Sequence, residues 1–297
     1  MTITPTNLNL IKSLRPEGDV VDPRELLMLA HLSVISEPGE QSYTDAIAER
    51  GVLGAFPDIT LADIQKSATI KSLLAASRSG VRMLIPSDDL YPNALADLES
   101  PPIVLWVRGT DEALASLNNS VAIVGARAAT GYGEHVTMEM SAGLTDRGFT
   151  VVSTGAYGVD GMTLRAALAS NGSPVAVLAG GLDKFYPAGN DALLSRVATH
   201  GAVISEIACG KTPTKWRFTQ RNRIVAAITQ VTVVTEAGYR SGSLGTAGFA
   251  DSLGRAVGAM PGPVTSAASA GCHKLIADGT ARLVTDVEQV VALLPHE

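Results

Sequence analysis

The chain has 297 residues, 46% of them hydrophobic and 18% charged, and its formal net charge is −6. This is an ordinary globular composition, long enough for one large or two smaller domains, and the acidic balance excludes a surface that is basic throughout. The apolar runs are too short and too interrupted to cross a bilayer, and the first residues lack a signal-peptide pattern. We therefore expect a cytoplasmic protein without a membrane partner.

Short helices are predicted in the first part of the chain, separated by turns that contain Gly and Pro. They lie at Asp22–Val34, Thr44–Arg50, Leu61–Gln65 and Ile70–Ser77. We interpret residues 1–79 as a small helical domain of SAM-like type. Two predicted strands, Arg82–Ile85 and Ile103–Val107, then lead into the second domain.

From Val121 onward, short β-branched runs alternate with stretches of helical length, a pattern typical of a parallel sheet covered by helices on both faces. Strands are predicted at Val121–Val124, Phe149–Ser153, Pro174–Leu178, Ala202–Ser205, Val231–Thr235, Arg255–Met260 and Arg282–Val284. Helices are predicted at Tyr132–Arg147, Val159–Ser170, Asn190–Thr199, Arg221–Thr229, Leu244–Leu253, Gly271–Ala277 and Val287–Leu294. We therefore predict a doubly wound, mostly parallel α/β domain over residues 80–297.

Glycine, serine and arginine are concentrated directly after these strands, where ligands bind in open parallel sheets. The residues at these strand ends are Gly125, Arg127, Gly155, Gly158, Gly181, Ser241, Gly242 and Ser243. Glycines let a backbone approach phosphates closely and Arg127 offers a charged fork, although tight strand-to-helix connections also require glycine. Because GxGxxG is absent and no acid ends the second strand, NAD is disfavoured and no cofactor is expected.

A basic segment, residues 211–223, interleaves five cations with two aromatic side chains over a predicted loop and helix start. Its cations are Lys211, Lys215, Arg217, Arg221 and Arg223, and its aromatic residues are Trp216 and Phe218. This pairing suits single-stranded DNA, because cations follow the backbone while bases stack on aromatic faces. A solvated turn with both aromatic rings in the core fits equally well. Asn222 and Arg223 are also compatible with a structural role, in which Arg223 holds strand-end carbonyls or pairs with Glu206 or Glu236.

Catalytic groupings are sparse in this sequence. The five histidines show no metal-ligand spacing, and no metal site is predicted. Glu206 and Glu236 both end predicted strands, so they are candidates for a general acid/base pair. A structural role, accepting loop N–H groups or pairing with an arginine, is the favoured interpretation.

Motifs in a fixed order extend over roughly residues 82–280, and together they resemble the DprA/Smf family of DNA-processing proteins. They are Pro101–Gly109, Val121–Arg127, Gly155–Asp160, Gly181–Pro187, Ser205-Glu206, Phe218–Ile224, Glu236-Ala237, Ser241–Ser243, Pro261-Gly262 and Gly271–Ile276. The sequence departs from the family pattern at Ala126, Leu164 and Thr219, where Thr or Ser, His and Pro are usual. The C-terminal winged-helix domain of many members is not expected here.

The resemblance implies an extended Rossmann-like fold that works by binding, not as an enzyme. It implies a protein that protects single-stranded DNA and loads the RecA recombinase in transformation and homologous recombination, as a homodimer formed through the Rossmann-like domain. Carried over by motif, the DNA-phosphate contacts are Arg127, Arg221, Asn222 and Arg223, with Phe218 as a base-stacking residue and Lys184 and Lys215 as further contacts.

Two alternatives remain at the level of sequence. One is a LOG-like phosphoribohydrolase acting on nucleoside monophosphates. Arg240–Thr246 resembles the glycine-rich motif of that family, although Ala247–Ala250 stands where the family has an acid. The other is a domain that senses a nucleotide without turning it over.

Overall fold

A computed structural model describes residues 3–15 and 20–295. Within these residues nine strands form one sheet in the order β1-β2-β6-β5-β4-β3-β7-β8-β9. The strands are β1 Arg82–Leu84, β2 Leu105–Gly109, β3 Ser120–Val124, β4 Thr150–Ser153, β5 Val175–Val177, β6 Ala202–Ser205, β7 Val231–Val234, β8 Ala256–Ala259 and β9 Arg282–Leu283. Each predicted strand is present, with ends that differ from the prediction by at most two residues.

The sheet is mixed and mostly parallel, so the predicted fold class is confirmed. β1 pairs with β2 in antiparallel fashion, while β3 lies between β4 and β7 as a parallel strand. In register, Val121 of β3 is opposite Val151 on one side and Val231 on the other. All residues of these three strands are buried, which explains their nearly continuous apolar sequence.

Packing distinguishes two compact units. The first comprises the described residues of Met1–Arg108, Leu178–Phe185 and Ile204–Phe218, and the second those of Gly109–Val177, Tyr186–Val203 and Thr219–Glu297. The division into domains at residue 79, predicted from the sequence, stays a prediction.

In the first unit, helices precede the antiparallel strand pair. They are α1 Pro5–Ser13, α2 Pro23–Ile35, α3 Gln41–Ala55, α4 Leu61–Lys66 and α5 Ala68–Arg78. Leu27, Leu32, Ile64 and Leu73 are fully buried and supply an apolar core for them. The sequence prediction missed α1, and it placed α3 only at Thr44–Arg50.

In the second unit, helices alternate with the parallel strands. They are α6 Asp111–Ala115, α7 Gly131–Asp146, α8 Val159–Ala169, α9 Asp191–His200, α11 Ser243–Ser252, α12 Ala270–Ala277 and α13 Val287–Val291. Val121 and Ile123 of β3 pack with Met140 and Leu144 of α7 in one buried cluster. The core therefore lies directly under the strand ends at which ligands were predicted.

The predicted start of the helix in the basic segment is wrong. α10 spans Lys215–Ile228 and begins six residues before the predicted Arg221. Thr214 is its N-cap, because the Thr214 hydroxyl accepts a hydrogen bond from Arg217 N at 3.2 Å. Most of the basic segment is thus helical and not loop.

No helix among residues 3–15 and 20–295 has the length and apolar character that a membrane span requires. In the same part of the chain, no group of three or more His, Cys, Asp or Glu side chains is arranged to hold a metal ion.

Candidate nucleic-acid interface

In the second unit, the loops that follow β3, β4 and β7 are bonded to one another at the carboxyl edge of the sheet. Ala126 N donates to Glu236 O at 2.7 Å, and Val159 N donates to Ala126 O at 3.1 Å. The Ala126 peptide therefore joins the loop after β7 on one side to the start of α8 on the other. The three loops form a single surface, which we call the strand-end surface.

Two glycines make this close contact possible. A Cβ on Gly158, whose φ is 73°, would lie 2.2 Å from Ala126 O. A Cβ on Gly125 would lie 2.6 Å from Glu236 O. Both glycines were predicted from sequence to make room for a ligand, and the structure gives them a role in packing loop against loop.

Asp160 is a buried carboxylate beneath the strand-end surface. Its Oδ1 accepts a hydrogen bond from Gly125 N at 3.1 Å, and its Oδ2 accepts one from the Thr154 hydroxyl. Burial raises the pKa of Asp160, while the Thr154 hydrogen bond and the charges of Arg221 and Arg127 oppose that rise. This carboxylate therefore has a structural role in joining the loops after β3 and β4.

Arg221 is buried, with 6% of its surface exposed, and it holds the ends of two strands. Its Nη1 donates to Val177 O at 2.6 Å and to Thr154 O at 3.0 Å. Burial lowers the pKa of Arg221 to about 10, with Asp160 opposing and Arg127 adding to the shift. The group is still protonated at neutral pH, so a fixed positive charge lies under the strand-end surface.

Asn222 continues this connection to the loop after β7. Its Oδ1 accepts from Arg221 Nε at 3.2 Å, and its Nδ2 donates to Gly242 O at 3.2 Å. In the same loop the hydroxyls of Ser241 and Ser243 lie 2.7 Å apart at the start of α11. The structure thus brings Arg221 and Asn222 together with the predicted Ser-Gly-Ser loop.

Arg127 differs from Arg221 and Arg223 because it is exposed. It lies two residues after Gly125, and its charge is close enough to shift the pKa values of Asp160 and Arg221. The strand-end surface therefore presents the charge of Arg127 to solvent, while the charge of Arg221 is buried.

Arg223 and Gly155 are both buried. Arg223 is buried and its Nε donates to Gln220 on the same helix at 3.2 Å. Arg221 holds strand-end carbonyls, the role that was considered for Arg223. Gly155 O accepts from Asn190 Nδ2 at 3.0 Å, which anchors the loop after β4.

Glu236 accepts a loop N–H group, as the structural interpretation predicted, and the donor is Thr130, the N-cap of α7. Its carboxylate accepts from Thr130 N at 2.8 Å and from the Thr130 hydroxyl at 2.6 Å, and only 1% of the residue is exposed. The carboxylate lies at the N-terminus of α7, where the helix dipole favours negative charge. Its lone pairs are engaged with backbone and hydroxyl donors, which argues against a role as a general base.

The remaining predicted residues, Gly181, Lys184, Lys215 and Phe218, belong to the first unit. Gly181 N donates to Lys211 O at 2.9 Å, so this glycine is part of a loop contact. Lys184 and Lys215 are exposed, and Phe218 is half-buried.

Similarity to known proteins decides the family. The family model described as DNA recombination-mediator protein A matches residues 82–295. The chain belongs to this family. The resemblance to DprA/Smf proteins, predicted from the ordered motifs, is thereby confirmed.

Relatives in several bacteria are named DNA processing protein DprA or Protein Smf. A protein of Mycobacterium tuberculosis named DNA processing protein DprA is 47% identical over 245 residues, which cover 79% of this chain and 62% of that protein. The chain thus matches less than two thirds of the length of this relative.

Two solved structures share the fold. The X-ray structure of DNA processing protein A from Streptococcus pneumoniae has a TM-score of 0.72 and 29% identity, and covers 100% of both chains. DNA processing protein A from Helicobacter pylori, described for its single-stranded DNA binding mode, has a TM-score of 0.64 and 27% identity, over 71% of this chain and 94% of that one. Their likeness supports the predicted Rossmann-like fold.

Sequence reasoning missed the exposed tyrosines of the second unit. Tyr157 in the loop after β4 is 50% exposed, and Tyr239 in the loop after β7 is 64% exposed. Each lies among small residues in a strand-end loop. An aromatic residue at such a position was the sequence signal that could have identified it.

Proposed function

We propose that this chain binds single-stranded DNA on the strand-end surface and that Arg127 contacts the phosphates. The observation that carries the proposal is an exposed arginine on a loop that is bonded to two neighbouring loops. A guanidinium suits phosphate because its planar fork donates two parallel hydrogen bonds.

The other predicted residues take supporting parts in this proposal. Arg221 and Asn222 serve DNA by holding the loops in place, since their polar atoms already bond strand-end carbonyls and the Ser-Gly-Ser loop. Gly125 and Gly158 allow those loops to touch. Arg223 is a further proposed contact, together with Gly155, Ser241, Gly242 and Ser243. In the first unit, Lys184, Lys215 and Phe218 remain proposed contacts as well.

We further propose that the chain acts by binding and not by catalysis, that it forms a homodimer through its Rossmann-like part, and that it loads RecA onto the bound strand. Membership of a family described as recombination mediators supports the last step. Transformation and homologous recombination are the processes in which such loading is needed. The engaged carboxylates of Asp160 and Glu236 support a binding role.

The test compares Arg127→Ala with wild type by fluorescence anisotropy on labelled oligo-dT across a range of salt concentrations. We expect affinity to fall roughly tenfold, and the slope of log K against log salt to become shallower by about 0.7, the value for one phosphate of a single strand. Arg196→Ala, which removes an exposed arginine from α9, is the matched control and is expected to match wild type.

Unchanged affinity and slope in Arg127→Ala would remove Arg127 from the interface. Release of free adenine from AMP by the wild-type protein would instead favour the phosphoribohydrolase alternative.

A further inference from the structure

Tyr157 presents an aromatic ring to solvent in the loop between β4 and α8. Half of its surface is exposed, whereas the flanking Gly155 and Val159 belong to the packed interior of the second unit. An exposed ring in a loop made mostly of small residues gains little from burial, so packing alone does not account for it.

A backbone contact holds the tyrosine in place. Gly189 N donates a hydrogen bond to the Tyr157 hydroxyl at 3.2 Å. A Cβ on Gly189 would lie 2.6 Å from that oxygen and 3.0 Å from Cε1 of the ring, so the end of the ring packs closely against the Gly189 backbone. Because the hydroxyl is anchored, less side-chain entropy is lost when a ligand covers the ring.

The loop of Tyr157 and the loop of Arg127 touch directly. Gly158, the residue after the tyrosine, would place a Cβ 2.2 Å from Ala126 O and 2.5 Å from Arg127 O. The Val159 N to Ala126 O hydrogen bond of 3.1 Å fixes the same contact. An anchored aromatic ring and an exposed guanidinium therefore lie on adjacent loops of one rigid surface.

We infer that Tyr157 is a stacking platform for a nucleobase of the strand whose phosphate Arg127 holds. The inference rests on the proposed function and adds an aromatic group for the base on the strand-end surface. Single strands expose base faces beside their phosphates, and stacking on an aromatic ring tolerates every base. The site then recognises unpaired bases, because bases stacked inside a duplex do not offer their faces.

The experiment separates base from phosphate recognition. Tyr157→Ala, Tyr157→Phe and Arg127→Ala are titrated by anisotropy with oligo-dT and with an abasic sugar-phosphate strand of equal length. Tyr157→Ala is expected to lose roughly tenfold in affinity for oligo-dT and nothing for the abasic strand. Arg127→Ala is expected to lose affinity for both, and Tyr157→Phe to lose less than Tyr157→Ala on oligo-dT, because the ring remains but its hydroxyl anchor is gone.

Met138→Ala removes another half-exposed apolar side chain, in the middle of α7, and serves as the matched control. Equal losses on both strands, or no loss on oligo-dT, for Tyr157→Ala would overturn the stacking role while leaving Arg127 and the proposed function intact. Absence of oligo-dT binding by the wild-type protein at low salt would instead overturn the proposed function itself.

Discussion

Arg221 illustrates how a charged residue beneath a proposed ligand surface can act through the fold. A guanidinium buried to this extent would be costly without partners, but it bonds two carbonyl oxygens and an amide oxygen. Those carbonyls belong to Thr154 and Val177, at the ends of neighbouring strands. The residue therefore stabilises the strand-end surface whether or not DNA is bound.

Replacing Arg221 by methionine tests this structural role. Arg221→Met keeps an unbranched apolar stem but leaves Thr154 O and Val177 O without their donor, and Asp160 without a compensating charge. We expect the free energy of unfolding to fall by about 3 kcal/mol, measured by urea denaturation. Arg196→Met, on the exposed face of α9, is expected to change little. If Arg221→Met were as stable as the wild-type protein, Arg221 would have no structural role and would remain only a proposed ligand contact.

The sequence could not show that both arginines of the Arg-Asn-Arg run would be buried. Successive helical residues are turned by about 100°, so Arg221 and Arg223 face roughly opposite directions, and the helix register decides what each of them contacts. The sequence pattern placed the helix start at Arg221, so the orientation of the arginines on the helix could not be predicted. Gly125 and Gly158 were predictable as strand-end glycines, but the loops they touch were not.

At the scale of elements, the turn between α2 and α3 is held by the basic segment within the first unit. Arg217 Nε and Nη2 donate to Glu37 at 2.9 and 2.5 Å, and Trp216 Nε1 donates to Pro38 O at 3.2 Å. Lys211 Nζ donates to Ser36 O at 3.4 Å. Three consecutive turn residues are thus each bonded by a side chain of the basic segment.

This contact predicts a pH-dependent contribution to stability. The hydrogen bond from Arg217 lowers the pKa of Glu37 below its ordinary 4.5. A lowered acid pKa stabilises the folded state fully above the unfolded value, and that stabilisation is lost as pH falls through the folded value. Because half of the Glu37 side chain is exposed, we expect Glu37→Gln to cost about 1 kcal/mol at neutral pH.

Denaturant unfolding of wild type and Glu37→Gln measures this difference, which should disappear at a pH below the lowered pKa. Asp45→Asn, an exposed acid on α3, is the control and should behave as wild type at both pH values. A difference that persists in acid would assign the effect to side-chain size and not to charge.

The strands were the most predictable elements because buried parallel strands are nearly continuous β-branched runs. The helix α1 was missed although Thr4 accepts a hydrogen bond from Asn7 N as its N-cap and Pro5 opens it. The start of α10 was missed because a run of cations looks like a solvated turn, while its cap, Thr214, is a single residue. Capping depends on one hydroxyl, which is a weaker signal than a periodic pattern.

For the whole molecule, the net charge of −6 restricts how DNA can be bound. A protein of negative net charge repels a polyanion at long range. Affinity for DNA must therefore come from local contacts such as that of Arg127. Doubling a weak surface in a homodimer raises affinity for one strand by raising the effective concentration of the second surface. A proposed dimer is therefore part of the binding mechanism and not only of the architecture.

This reasoning predicts that binding and RecA loading depend on Arg127 while dimerisation does not. Light scattering is expected to give a dimer for both wild type and Arg127→Ala, since the exposed arginine lies on the ligand surface. In a RecA strand-exchange assay the wild-type protein should accelerate the reaction, and Arg127→Ala should lose most of that effect at equal concentration, because the strand is no longer held. Full acceleration by Arg127→Ala would mean that RecA is recruited without this surface, and a monomer in both would remove the dimer from the mechanism.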